Sequence, residues 1–468
     1  MSKLHKYAFS DLYDISSGIS STKEQAGHGA PFVSFSTVFN NYFLPDELPD
    51  LMDTSAVDQE KCSVKKGDIL ITRTSETVDE LAMSCVALKD YPKTTFSGFV
   101  KRLRPKTIGI ADDKYMAFFL RSEYFRKVIN AKTIMTLRAS FNEDIFSFLD
   151  LYLPDYKEQV KIGDFLYNIE KKIQCNNKIN NNLQQQLKLI YDYWFTQFDF
   201  PDEESKPYRS SGGAMVWNEQ LKRDIPADWQ VTSITDNDLF QIIKPGINNF
   251  KGDKTYLATA DIVGTTILNG NIINYDTRES RANMQPSLYS VWFAKMKNSI
   301  KHLNIGCKMK SIIDNYILST GFCGLQCSKF SFEYVASFIE YSYFEVIKDT
   351  LAHGATQEAV NNDDLCNIFL LKPSDDILQL YHKQTNSIFS QISTNICENQ
   401  KLSALRDWLL PMLMNGQLSI MDEQEEQPQF NDDSSFEQWL ANQGIAARGD
   451  VDMDVLRDIY EAMDSDDK

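Results

Sequence analysis

Two stretches of this chain carry the same helical seam, and that duplication constrains the fold more than any other feature. In the first, Ile162, Leu166, Ile169, Ile173, Asn176, Asn180, Leu183, Leu187, Ile190 and Trp194 recur in alternating steps of four and three. Seven residues complete nearly two helical turns, so this spacing holds one stripe of a helix against a partner, as in a coiled coil. Shifted by 219, the second stretch repeats the register with Ile388, Ile392, Asn395, Asn399, Leu402, Leu409 and Leu413. Arg406 falls on one seam position beside Leu405, so the second helix is expected to shift face there. Neither stretch meets a proline before Pro201 or Pro411. About 40 helical residues make a rod of roughly 60 Å.

Both seams keep asparagine at two equivalent positions, Asn176 and Asn180 in one and Asn395 and Asn399 in the other. A buried asparagine weakens a coiled coil but fixes its register, because its amide requires a polar partner. The pattern therefore predicts that the two helices pack on each other with these amides facing. Two independent amphipathic helices on separate domains are the plainer alternative. Direction is not fixed by the seam itself. A chain that alternates domain, helix, domain, helix packs its helices antiparallel if the globular domains sit at opposite ends.

The repeat extends beyond the helices. Ala139-Ser140-Phe141-Asn142-Glu143-Asp144-Ile145 matches Ala359-Val360-Asn361-Asn362-Asp363-Asp364-Leu365, and each is followed by an apolar segment and a proline, Pro154 or Pro373. Upstream, Ser97-Gly98-Phe99 matches Thr320-Gly321-Phe322, and Leu12-Tyr13-Asp14-Ile15 matches Leu239-Phe240-Gln241-Ile242. The organisation read from this is a first mixed α/β domain over 1–153, a helix over 154–200, and a linker over 201–228. A second mixed α/β domain over 229–373, a second helix over 374–420 and an acidic extension over 421–468 follow. Strands are expected at 32–36, 67–74, 256–260 and 290–295, and helices at 116–128 and 334–350. The linker, with Arg209-Ser210-Ser211-Gly212-Gly213, reads as a loop.

Charge at first argues against nucleic acid, since the net is −17. Residues 421–468 hold fifteen acidic residues against Arg448, Arg457 and Lys468, a net of −12, so the remaining 420 residues carry only −5. Within them, 89–138 is +8 and 244–310 is +6. One basic stretch per half is what phosphate binding at two sites requires, although solvated surface charge explains it equally. The acidic extension reads as disordered, with short amphipathic helices at 436–440 and 455–460 as the alternative. Apolar runs are too short and charged to span a membrane. Met1-Ser2-Lys3-Leu4-His5 precedes no apolar segment, so no secretory leader is expected. Eight scattered cysteines suit a reducing cytoplasm.

The duplicated plan, Leu153-Pro154-Asp155-Tyr156-Lys157-Glu158-Gln159-Val160 leading into Ile162 and Leu166, the Gly67-Asp68-Ile69-Leu70 strand and the linker end Ile225-Pro226-Ala227-Asp228-Trp229 resemble the specificity subunits of type I restriction–modification systems. The resemblance covers roughly residues 8–420. It implies an α+β architecture: two target-recognition domains separated by two long helices packed as an antiparallel coiled coil, with a pseudo-two-fold internal repeat. It implies a non-catalytic subunit that reads a bipartite double-stranded DNA site, one half per domain. Two methyltransferase subunits and the restriction and translocation subunits are the implied partners, carrying S-adenosylmethionine, ATP and magnesium. No cofactor is expected on this chain. Tyr381, His382 and Thr385 depart from the pattern of Glu158, Gln159 and Leu166, which leaves open whether both helices meet partners equally.

Candidate DNA contacts follow from side-chain chemistry, since arginine holds guanine bidentately and threonine bonds phosphate or touches a thymine methyl. In the first domain they are Thr72, Arg73, Thr74, Lys101, Arg102, Arg104, Arg138 and Ser140. In the second they are Lys244, Lys295, Lys297, Lys301, Lys308 and Lys310. Ordinary surface charge accounts for part of this set. The sequence has no phosphate-binding Gly-x4-Gly-Lys-Ser/Thr loop, and neither the Asn/Asp-Pro-Pro-Tyr/Phe motif nor the glycine-rich cofactor loop of a methyltransferase acting on an exocyclic amine. Cys323 and Cys327 have no second ligand pair at zinc spacing. His302 reads as a surface residue, and His353 as a cap or packing residue. A coiled-coil scaffold that binds only proteins is the competing reading.

Overall fold

The computed structural model describes residues 4–75, 80–132, 139–268, 270–354, 358–420 and 445–447 of a mixed α/β protein. The chain divides into two compact units, Met1–Lys171 with Ser403–Asp464, and Lys172–Leu402 with Ser465–Lys468.

In the first unit, an antiparallel sheet runs in the order Tyr13–Ser17, Val100–Pro105, Ile69–Thr72, Ser84–Val86. Ile69, Leu70 and Ile71 are all buried, so this strand is covered on both faces and lacks polar alternation. The helix Asp113–Phe119 packs on Ser84–Val86. The single helix expected over 116–128 is interrupted at Ser122, whose hydroxyl donates to the Phe119 carbonyl and accepts from the Phe125 N–H before Glu123–Lys132 continues. The strand expected at 32–36 ends at Val33, because Ser34 caps the helix Phe35–Asn40 by accepting from the Thr37 N–H at 3.2 Å. His5–Ala8 pairs with Asp150–Leu153, joining the start of the unit to its end.

The second unit holds a sheet in the order Phe240–Ile242, Phe322–Cys327, Ser290–Ala294, His302–Ile305, with the same antiparallel pairings as the first. Trp292 is wholly buried across this sheet, and a Cβ at Gly324 would meet its ring at 2.5 Å, so the neighbouring strand requires glycine there. The expected 334–350 helix is two helices, Phe332–Glu340 and Ser342–Leu351, broken at extended Tyr341. Gln230–Ser233 pairs with Phe369–Lys372, as the outer strands do in the first unit.

The long helices are Tyr156–Tyr191, ending in a π-helical turn at Asp192–Thr196, and Asp375–Met414. Pro411 sits inside the last turns of the second helix rather than ending it. In the second unit, Asn176 Nδ2 donates to Asn399 Oδ1 at 2.9 Å and Asn395 Nδ2 to Asn180 Oδ1 at 2.7 Å. The partner number falls as the first rises, so here the helices run in opposite directions. In the first unit, Arg406 at the odd seam position bonds Glu170 Oε2 at 2.9 Å and lies over the Tyr42 ring. Gly163 brings the first helix against a neighbouring helix start: a Cβ there would meet the Tyr115 nitrogen at 2.6 Å. That approach explains a residue costing about 1 kcal/mol in a helix interior. Gln159 is buried beside it, accepting from the Asp112 N–H and donating to the Ile110 and Pro154 carbonyls.

Two segments differ from expectation. The linker over 201–228 contains a hairpin, Met215–Asn218 with Arg223–Pro226, and belongs to the second unit. Its polar turn residues masked the anchoring: Phe200 stacks on Trp229 at 4.9 Å and on Tyr208 at 4.7 Å. The extension beyond 420 is not wholly separate from the first unit, because Ile445–Ala447 pairs with Leu418–Ile420 and Ile445 is buried. The short helices expected at 436–440 and 455–460 lie outside the described residues.

Candidate nucleic-acid interface

In the first unit, the strand Ile69–Thr72 ends at a junction of three backbone segments. Thr72 is buried and its hydroxyl accepts from the Met83 N–H at 2.9 Å. The Arg73 N–H donates to the Phe99 carbonyl at 2.8 Å, and its own carbonyl accepts from the Phe141 N–H at 2.7 Å. Thr74 and Ser75 then pair with Ser140 and Ala139. The backbone of Arg73 is thus fixed on both sides while its side chain is exposed, with Phe99 61% exposed alongside.

The second unit builds the same junction at the end of Ser290–Ala294. The Lys295 N–H donates to the Gly321 carbonyl at 3.0 Å, and its carbonyl accepts from the Val360 N–H at 3.0 Å. Met296 then bridges Ala359. Arg73 and Lys295 therefore occupy matching places, between the Ser97-Gly98-Phe99 or Thr320-Gly321-Phe322 turn and the repeated acidic motif. A cation on a rigid backbone loses little entropy when it meets a phosphate or a base edge, which suits base readout.

Several other candidates are committed inside the protein. Lys101 and Arg102 are buried: Lys101 Nζ donates to Ser17 Oγ at 2.8 Å, and Arg102 Nη1 donates to the Lys61 and Ser63 carbonyls. Arg104 forks onto buried Asp68 at 2.8 and 2.6 Å, and that bonding raises its already high pKa. With both faces of the strand covered over Val100–Leu103, these cations tie loops to the sheet, Lys101 and Arg102 from buried positions and Arg104 from a partly exposed one. Thr72 is withdrawn for the same reason. Lys297 pairs with Glu358 at 2.8 Å, and Lys301 Nζ donates to the Thr259 carbonyl. Thr74 and Ser140 are half-buried partners at the Arg73 junction. Lys244, Lys308 and Lys310 are exposed. Arg138 lies outside the described residues.

His302, read as a surface residue, is buried and bonds Glu345 Oε1 at 2.9 Å. Its partner is 43 positions away, so no local signal announced the pair. His353 is exposed and bonds the Leu351 carbonyl and the Asn361 amide beside the repeat motif. Cys323 and Cys327 are buried, and burial pushes the Cys323 thiol up to about 12, away from the thiolate a metal needs. Among the described residues, no helix is long and apolar enough to cross a membrane.

Comparison with known proteins agrees with the sequence resemblance. Residues 1–185 match the family model described as the type I restriction modification DNA specificity domain. The chain is 24% identical to the Type I restriction enzyme HindI specificity subunit of Haemophilus influenzae, over 87% of this chain and 98% of that protein. It is 24% identical to the MjaIX specificity subunit of Methanocaldococcus jannaschii, over 77% of this chain and 80% of that protein. A solved structure of the S subunit of a type I restriction–modification system from M. genitalium matches with a TM-score of 0.48 at 14% identity, covering 88% of this chain and 96% of that chain. The chain is thus similar at its start to the type I specificity domain, and along most of its length to specificity subunits of type I restriction enzymes.

Proposed function

We propose that this chain reads a bipartite DNA site, one half-site through each globular domain, and carries no catalytic step itself. The observation that carries the reading is the matched pair of junctions. Arg73 and Lys295 stand at the same place in two similar sheets, each held by a turn and by the repeated acidic motif. The surrounding side chains differ, as two different half-sites require. Thr74 and Ser140 join Arg73, while Lys244, Lys297, Lys308 and Lys310 surround the second reading head in sequence. Phosphate contacts supply affinity and base contacts supply choice.

The two long helices form the spacer of this proposal, an antiparallel coiled coil related by a pseudo-two-fold repeat. The asparagine bonds between Asn176 and Asn399 and between Asn180 and Asn395 support that geometry. The spacer also docks two methyltransferase subunits, and restriction subunits join through them. S-adenosylmethionine, ATP and magnesium act on those partner chains, in the cytoplasm. The test is to map DNA methylation by single-molecule sequencing in cells that express the companion methyltransferase with and without this chain. One split motif with a fixed gap is expected, present only with the chain. Methylation unchanged by its deletion would sink the proposal.

A further inference from the structure

The two units differ in sign of charge at two matched positions. Shifted by 219, Phe119 corresponds to Phe338 and Phe125 to Phe344, all buried in the helices that cover each sheet. At the same shift Arg121 corresponds to Glu340 and Arg126 to Glu345. Arg121 is fully used within the first unit. Its Nε donates to the Ser84 carbonyl at 2.7 Å, and its Nη2 to the carbonyls of Val38, Phe39 and Asn41 at 2.8–2.9 Å.

In the second unit the two carboxylates are not treated alike. Glu345 has a charged or ring donor on each oxygen, His302 at 2.9 Å and Lys348 Nζ at 2.6 Å. Glu340 receives one donor, Asn304 Nδ2 at 2.5 Å, although a carboxylate offers about four acceptor sites. It borders an open cleft of about 380 Å³, lined also by Gln184, Lys188, Thr265, His302 and Tyr341. Asn304, the donor to Glu340, stands behind it and outside the cleft lining. Gln184 Nε2 is spent on Thr265 Oγ1 at 2.7 Å, so its amide is oriented by the protein. Lys188 is exposed and its charge is solvated. Where the first unit supplies a guanidinium from its own chain, the second presents an underused carboxylate beside a space. Burial raises the Glu340 carboxyl, with His302 and Asn304 opposing.

We propose that this cleft binds a guanidinium or amidinium group, whose N–H donors pair with the Glu340 carboxylate. Planar cations with forked donors match a carboxylate better than a spherical ammonium. The group arrives either on a free small molecule or on an arginine side chain of a bound protein. The site is separate from the Arg73 and Lys295 junctions, and its test needs no DNA.

The experiment is calorimetric titration of the purified full chain with propylguanidine, with tetramethylammonium as a cation that lacks donors. Saturable binding of propylguanidine alone is expected. Glu340→Gln should weaken it by about tenfold or more, a difference of about 1.4 kcal/mol. Glu340→Arg, which restores the side chain found at Arg121, should abolish it. An unchanged melting temperature of Glu340→Gln establishes that the fold is intact. Titration is then repeated on the chain bound to its methyltransferase: persistent binding identifies a free ligand, and lost binding identifies a partner arginine. Absence of saturable binding to the free chain overturns the proposal, as does equal affinity in Glu340→Gln or for tetramethylammonium.

Discussion

Replacing Asn180 or Asn395 by leucine should destabilise the protein singly but not together. Both residues are buried, 6% and 3% exposed, and Asn395 Nδ2 donates to Asn180 Oδ1 at 2.7 Å. In Asn180→Leu the Asn395 amide loses its acceptor in a dry seam, while its Oδ1 keeps the bond from Gln391 at 2.8 Å. In Asn395→Leu the Asn180 oxygen loses its donor, and exposed Gln391 turns to water. One orphaned buried group costs about 1–3 kcal/mol. The double variant has no orphan and adds two leucines to an apolar stripe, so it should fall within about 1 kcal/mol of the parent. The two single losses sum to about 2–6 kcal/mol against little or none in the double variant, so the coupling is about 2–6 kcal/mol in favour of the pair. Urea unfolding of the four proteins measures it, checked by melting shifts of about 2–4 °C per kcal/mol for a unit of this size. Additive losses, with the double variant as unstable as the two singles together, would refute the facing-amide account.

Arg73→Ala and Lys295→Ala should each relax sequence choice in one half-site only, by about 1–3 kcal/mol per lost base contact, measured by competition binding of DNA variants. Lys308→Ala with Lys310→Ala should instead lower affinity for all DNA and flatten its salt dependence. Gln159→Ala leaves the Asp112 N–H and the Ile110 and Pro154 carbonyls without their partner, and should cost about 2–4 kcal/mol in chemical unfolding. Although burial opposes it, bonding from His302 and Lys348 leaves the Glu345 carboxyl below the usual carboxylate range. A depressed acid contributes stability that is fully present above its unfolded pKa and lost as pH falls through the folded one. Glu345→Gln should therefore flatten the acid limb of a plot of melting temperature against pH, with the difference gone at strongly acid pH.

The helices were legible because their information is periodic and local: steps of four and three expose a seam regardless of what it packs on. Even the discordant Arg406 was visible, though its partners Glu170 and Tyr42 were not. The matched places of Arg73 and Lys295 were legible as well, because the turn and the acidic motif repeat around them. Burial of charge was not. Lys101, Arg102 and Arg104 look like a basic strip in sequence, yet their acceptors are a serine hydroxyl, a carbonyl and an aspartate 36–84 positions away. Arg121 and Glu345 depend likewise on distant partners. The linker misled for a related reason: Gly212 and Gly213 announce turns, while the packing of Phe200 and Trp229 depends on tertiary contact.

The central claim is that the paired helices set the gap between two independently read half-sites. It is tested most directly by deleting residues 177–183 together with 392–398, seven residues that face each other across the asparagine register. Seven helical residues span roughly 10 Å, about three base pairs of DNA. Single-molecule methylation mapping with the companion methyltransferase should return a motif whose gap is shorter by about three base pairs, with both half-sites unchanged. An unchanged gap, or altered bases within either half-site, would contradict the account.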